Sequence, residues 1–257
     1  MTNKKLTIKE ITIIFLFILT LGLIAFSIIK DSKTNKLKEE QALQEQSTPS
    51  VVENEYCYYQ STKSGNGFYD VSWLKVKEKG EYVSGEFRNL PAEKDSKVGT
   101  FEGLKPVFIS DTGVKQADVI WDTLAEGMQN MEELMFDYSD LSATAYFGES
   151  KDSGDGVYMF TNKSNLFPQS KMDIIDCDEL DEKLNVEKYV RSNIVSLSQD
   201  KEVLGGRWYV TSLNINPLVN TGEVVYEDGH IEAKASFVYD YNKETGDIII
   251  NDFKQIK

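Results

Sequence analysis

Two cysteines, one histidine and a run of carboxylates are the residues of this 257-residue chain whose types and spacing could do chemistry. In an oxidising compartment Cys57 and Cys177 would pair, closing a loop worth about 4–5 kcal/mol in the chain-entropy account. Two buried reduced thiols are the alternative, and it stays open because the geometry that decides between them is not in the sequence. His230 is the sole histidine and follows the turn Asp228-Gly229. A two-His zinc site is therefore excluded within one chain, and no CxxC or HExxH spacing is present. A Ser-His-Asp triad would hang on His230 alone, with no GxSxG elbow beside it, so the residue reads as part of an exposed turn. Asp173, Asp176, Asp178, Glu179, Asp181 and Glu182 could attract calcium. Their order fails the EF-hand pattern, because Leu180 stands at the third ligand position and no Gly follows. An acidic approach to a helix N-terminus explains the same cluster. Gly205-Gly206 precedes a strand and does not open a helix, unlike a phosphate loop. Tyr56, Tyr58 and Tyr59 could recognise a glycan or peptide, although tyrosines in strands more often pack on a half-buried face. Asn162-Lys163-Ser164 matches a glycosylation sequon, a pattern that arises often by chance. No catalytic residue, metal ligand or cofactor site is expected.

Charge narrows the partners. The chain carries 28 Lys plus Arg against 42 Asp plus Glu, a formal charge of −14. Seven Lys against five acidic residues lie in the first fifty, which leaves 21 basic and 37 acidic groups beyond them. Such a surface repels phosphate backbones, so nucleic acid is not an expected partner. A protein or envelope polymer remains an allowed one.

Residues 11 to 29 read ITIIFLFILTLGLIAFSII without one charge, between Glu10 and Lys30. As a helix the run would cover about 28 Å, enough for the hydrocarbon core. A cleaved signal peptide is the competing reading, with Lys4, Lys5 and Lys9 as its basic region; the length favours an uncleaved anchor. The sequence thus predicts a cytoplasmic head over 1–10, a transmembrane anchor over 11–29 in contact with the lipid bilayer, and a tether over 30–55. The tether is rich in Lys, Glu, Gln and Ser. Lysines flank the run on both sides and leave the positive-inside rule nearly silent. The short head and the two cysteines place the body outside the cell membrane, as in a single-pass protein.

Residues 56–150 alternate with period two between Gly, Asn, Asp and Lys, which predicts an antiparallel meander able to close into a barrel. Phe68 to Lys77 and Glu81 to Arg88 form the clearest hairpin, with Leu74, Val76, Val83 and Phe87 inward. Met128 to Tyr138 fits both periods and is read as strand from Glu133. A barrel interior could hold an apolar ligand, but small barrels are more often filled by their own side chains. In residues 151–257, a strand at Gly156 to Phe160 and a loop containing Pro168 precede a helix capped by Asn185. Four strands follow, with turns at Asn220-Thr221-Gly222, Asp228-Gly229 and Glu244-Thr245-Gly246. Trp208, Val210, Val224, Tyr226, Phe237 and Tyr239 are the expected core. The fold class expected is a β-rich α+β chain: one N-terminal transmembrane helix, a barrel-like meander, then a helix on a four-stranded antiparallel sheet.

The strings CYY at 57, EFRNLPAEKDSKVGTFEG at 86, AEGM at 125, FGE at 147, LGGRWYV at 204 and TGEVVYEDGHI at 221 carry a resemblance. They look like a family of uncharacterised, N-terminally anchored envelope proteins of candidate-phylum bacteria. That family has no known activity, so the resemblance implies an anchored, exported protein and transfers no catalytic residue. The expected role is a non-enzymatic binding or structural module of the cell envelope. A carboxylate-dependent hydrolase of envelope polymers and a carrier of apolar ligands are the alternatives.

Overall fold

A computed structural model of the chain describes residues 53–91, 96–104, 106–109, 113–125, 127–199 and 201–256. Strands make up 61% of these residues, and they include one α-helix. The strands are β1 (Glu53–Lys63), β2 (Tyr69–Lys79), β3 (Tyr82–Leu90), β4 (Lys97–Leu104), β5 (Val107–Phe108), β6 (Lys115–Ala125), β7 (Met128–Tyr138) and β8 (Ser142–Phe147). After them come β9 (Ser150–Asp152), β10 (Val157–Phe160), β11 (Phe167–Ile175) and α1 (Cys177–Leu197). The chain ends with β12 (Tyr209–Asn216), β13 (Thr221–Glu227), β14 (Glu232–Tyr241) and β15 (Ile248–Ile256).

Eight strands close a barrel in the order β1-β2-β3-β4-β6-β7-β8-β11, with every neighbouring pair antiparallel and β11 returning to β1. Apart from the short excursions β5 and β9–β10, each strand lies beside its sequence neighbour, the simplest way to remove both sheet edges. The first hairpin shows why these residues choose strands. Leu74, Val76, Val83 and Phe87 alternate with polar residues, so pairing Lys79 with Tyr82 across a two-residue turn puts all four in the core. Gly85 sits where β2 approaches most closely; a Cβ there would lie 1.9 Å from the Lys75 carbonyl oxygen. Aromatic rings fill the axis: Phe101 meets Phe136 at 5.2 Å, Phe87 meets Trp121 at 5.2 Å, and Phe136 meets Tyr138 at 5.6 Å.

The remaining strands form a second sheet, ordered β12-β13-β14-β15, whose inner face is covered by α1 through Val186, Val190 and Ile194. All six expected core residues of this layer lie in that cluster. The first turns of α1 rest instead on the outside of the barrel, where Leu180 packs with Cys57, Val71 and Trp73. Strand β2 is therefore buried on both faces, which explains the unbroken buried stretch Val71 to Leu74, Ser72 included.

Several expectations need correction. The fold is mostly β with a closed eight-stranded barrel, in place of the α+β chain with a transmembrane helix. Among the described residues no helix is long and apolar enough to cross a membrane. Helix α1 has the length, but Asp178, Glu179, Asp181, Glu182, Lys183, Glu187, Lys188 and Arg191 confine its apolar residues to one stripe. The run 11–29, on which the membrane, single-pass and signal-anchor expectations rested, lies outside the described residues. The barrel also runs past residue 150: β11 closes it, with Pro168 beside an irregularity in the β8 pairing that spares the ladder a missing donor. Finally, α1 begins at Cys177 and not after Asn185, because Asp176 accepts from the Asp178 backbone N–H at 2.8 Å and caps it first.

Candidate functional site

Strand alternation places a defined set of polar residues inside the barrel, and the two ends treat them differently. At the end where β1 begins, Glu78, Lys115, Tyr138 and Tyr56 share the interior faces of their strands. Tyr138 Oη donates to Glu78 Oε1 at 2.5 Å, and Lys115 Nζ donates to the same oxygen at 2.7 Å. The ammonium also sits 4.9 Å from the Tyr56 ring centre and 5.5 Å from that of Tyr138. Every partner is matched, so this end is plugged. Burial alone would raise the Glu78 pKa, but the hydrogen bonds from Lys115 and Tyr138 outweigh it and hold the carboxyl below its ordinary value.

That depression sets a pH signature. A carboxyl whose folded pKa is lowered contributes stability above its unfolded value of 4.5, and the contribution is lost as pH falls through the folded pKa. Glu78→Gln is expected to cost about 2 kcal/mol at pH 7, the worth of hydrogen bonds to a charged group, and progressively less as the pH falls below 4.5. Urea unfolding of both proteins over a pH series from 7 downward checks this; a gap that does not change with pH would refute it.

The opposite end is polar and incompletely matched. Ser72, Asn89 and Ser170 join in one buried network, with Ser72 Oγ 3.1 Å from Asn89 Oδ1 and 3.1 Å from Ser170 Oγ. Gln60, on the same face of β1 as Tyr58, and Thr123, on the same face of β6 as Trp121, extend the layer. Lys97 Nζ and Glu132 Oε2, 2.6 Å apart, bridge β4 and β7 at its rim. Here three buried atoms have no hydrogen-bond partner: Gln60 Oε1, Trp121 Nε1 and Thr123 Oγ1. They comprise an acceptor, a donor, and a hydroxyl able to do either. Leaving such atoms unmatched costs about 1–3 kcal/mol each, so the arrangement favours a guest or a water carrying both functions.

A cleft separates the barrel wall from α1 and β12, with a volume of about 170 Å³ and Tyr69, Lys183, Glu187 and Arg191 among its lining residues. Its polar groups are already engaged. Lys183 Nζ donates to the Ile215 carbonyl at 2.6 Å, and burial pushes its pKa down. Arg191 reaches Glu187 at 2.8 Å and the Val210 carbonyl at 2.9 Å, while Tyr69 Oη donates to Glu223 at 2.6 Å. The cleft is a seam between the two layers.

The residues singled out from sequence fall elsewhere. Cys57 and Cys177 are joined in a disulfide with Cα atoms 5.2 Å apart, tying β1 to the first residue of α1. The acidic cluster is dispersed: Asp176 caps the helix, Asp181 pairs with Lys75 at 2.9 Å, and Glu182 accepts from Tyr239 Oη at 2.9 Å. Among the described residues no group of three or more His, Cys, Asp or Glu could hold a metal ion. His230 lies in the β13–β14 turn, its backbone N–H donating to Asp228 Oδ1 at 2.9 Å. Tyr58 points into the barrel, Tyr56 covers Lys115, and Tyr59 lies 4.5 Å from the Lys183 ammonium. Asn162 caps a 3-10 turn by accepting from the Ser164 N–H. The barrel's polar end was missed because only apolar residues were assigned to the interior; the signal was present in Ser72, two residues from Leu74, and Thr123, two from Trp121. Compared with family models, curated proteins and solved structures, the chain has no match.

Proposed function

We propose that the protein is a non-enzymatic binding module that works in an oxidising compartment outside the cytoplasm. Its polar barrel end takes a small neutral group bearing hydroxyls or amides, such as the end of a glycan. The observation that carries this reading is the trio of buried, unmatched atoms on Gln60, Trp121 and Thr123. Their mixed donor and acceptor character suits a hydroxyl or amide better than an ion or a hydrocarbon. The Cys57–Cys177 bond supports the compartment. Filling of the barrel axis by aromatic rings speaks against a carrier of apolar ligands. A polymer hydrolase would need a carboxylic acid kept protonated near neutrality. Glu78, Asp155, Glu223 and Asp228 are held below their ordinary values by hydrogen bonds or a nearby cation, so none of these four is that acid.

Neutral oligosaccharides containing N-acetylhexosamine are the first probes, titrated into the full-length chain by calorimetry, with fatty acids and sugar phosphates as controls. Saccharide binding that weakens about tenfold in Trp121→Phe, which keeps a ring and removes the N–H, is the expected result. Absence of heat with every saccharide at millimolar concentration, or equal affinity in the variant, would overturn the reading.

A further inference from the structure

Strand β15 is the open edge of the second sheet: it pairs with β14, and among the described residues no strand pairs with its outer side. The other edge strand, β12, is held against the barrel by Ser212 Oγ, which accepts from the Tyr69 backbone N–H at 2.7 Å. An edge nine residues long is a template for another strand, and proteins ordinarily blunt such edges with prolines or inward-pointing charges. Prolines and inward-pointing charges are absent from IIINDFKQI, whose blunting features are the outward Asp252 and Lys254 and a register shift at Asn251.

The side chains of β15 restrict what can pair there. Phe253 lies opposite Phe237 and faces the core, whereas Asp252, opposite Val238, and Lys254, opposite Ser236, face outward. Lys254 Nζ lies 2.5 Å from Asp252 Oδ2, as expected for charges on one face two residues apart. Consider a second copy of β15 laid antiparallel along the first. Outward residues must oppose outward residues, so registers change in steps of two. Centring the pair on Asp252 would oppose two carboxylates, and centring it on Lys254 would oppose two ammonium groups. Centring it on Phe253 opposes Asp252 with Lys254 twice, Asn251 with Gln255 twice, and Phe253 with itself. Cross-strand pairs of opposite charge stabilise and like pairs destabilise, so charge selects this register. The extra residue Asn251, at the register shift opposite Val238 and Tyr239, limits the ladder to the stretch that complements itself. Phe253 is only partly buried along this edge, and a second copy would cover it.

We infer that two copies of this chain associate through β15 about a two-fold axis at Phe253, joining two four-stranded sheets into one of eight strands. The interface is isologous, as a closed dimer requires. The exposed Gln199 amide, which donates to the Phe253 carbonyl at 3.2 Å, swings away when the strands meet. This assembly is independent of the ligand reading, since the barrel's polar end takes no part in it.

Sedimentation velocity of the full-length chain, over a series from micromolar to millimolar, tests the inference. The wild type is expected to dimerise. Asp252→Lys and Lys254→Asp each convert two attractive pairs into two repulsive ones and weaken association about tenfold or more. Combining both changes restores the complement and recovers the wild-type constant. Both side chains are solvent-facing, and thermal melting by circular dichroism verifies that each variant folds. A wild type monomeric throughout, or a dimer indifferent to the single reversals, would overturn the proposal. The residues before β1 are identical in all four proteins, so self-association through them cannot produce the reversal and rescue.

Discussion

Replacing both Cys57 and Cys177 with Ala lowers the free energy of unfolding by about 4–5 kcal/mol, the largest effect expected of any change in the chain. The bond joins residues 120 apart, and removing it restores to the unfolded chain the freedom of nearly the whole barrel. Domains are stable by about 5–15 kcal/mol in total, so a large share of the margin goes. The folded state contributes a second, kinetic signature. Cys57 is buried among Val71, Trp73 and Leu180, whereas Cys177 is only partly buried, so a reductant reaches the bond from the Cys177 side. Urea unfolding with and without dithiothreitol should show a wide gap in midpoint, and reduction should proceed without denaturant. Equal midpoints for the wild type and the double variant would show that the crosslink contributes nothing.

Trp121→Ala is expected to cost about 3–5 kcal/mol. The indole packs against Phe87 with ring centres 5.2 Å apart and is 1% exposed, so truncation leaves a void that the closed ring of strands can collapse only in part. The void would be lined by Phe87 and Phe101 and large enough to bind a benzene-sized molecule. Adding benzene or indole should therefore raise the melting temperature of this variant and leave the wild type unchanged. A wild type stabilised equally by either compound would mean that the barrel already holds apolar guests, and the packed-axis description would fail.

How far these features could be read beforehand depends on whether the determining contacts are local. The β2–β3 hairpin was legible because alternation and turn chemistry agree within about twenty residues. The six core residues of the second layer were legible for the same reason, each strand being paired with its sequence neighbour. Strand β11 was not, since Pro168 and the following acidic residues argue locally against a strand, and its partners β1 and β8 are far away or separated by an excursion. Its role in sealing the barrel has no local signature. The start of α1 misled for a different reason: Asp176 and Asn185 are both good caps, and only the anchorage of Leu180 on the barrel wall decides between them. Charges such as Glu78, Lys115 and Lys183 did not stand out, because a charge in the interior is recognisable only once its partner on another element is known. Lys183 did carry a hint, standing three residues before Val186 on the apolar stripe of the helix. The polar end of the barrel escaped on the same grounds, its members being spread over β1, β2, β3, β6 and β11.

The ring of strands is sealed by its first and last members, and that has a bearing on how the protein is made. Strand β1 leaves the ribosome more than a hundred residues ahead of β11, so on the order of ten seconds of synthesis pass before its final neighbour exists. During that interval one of its flanks offers unmet amides and carbonyls to any passing chain, a hazard that holding chaperones exist to mask. Maturation should thus be all-or-nothing: nascent chains stalled before residue 167 would stay sensitive to protease across every strand, and protection would arrive at once when the last stave is in place.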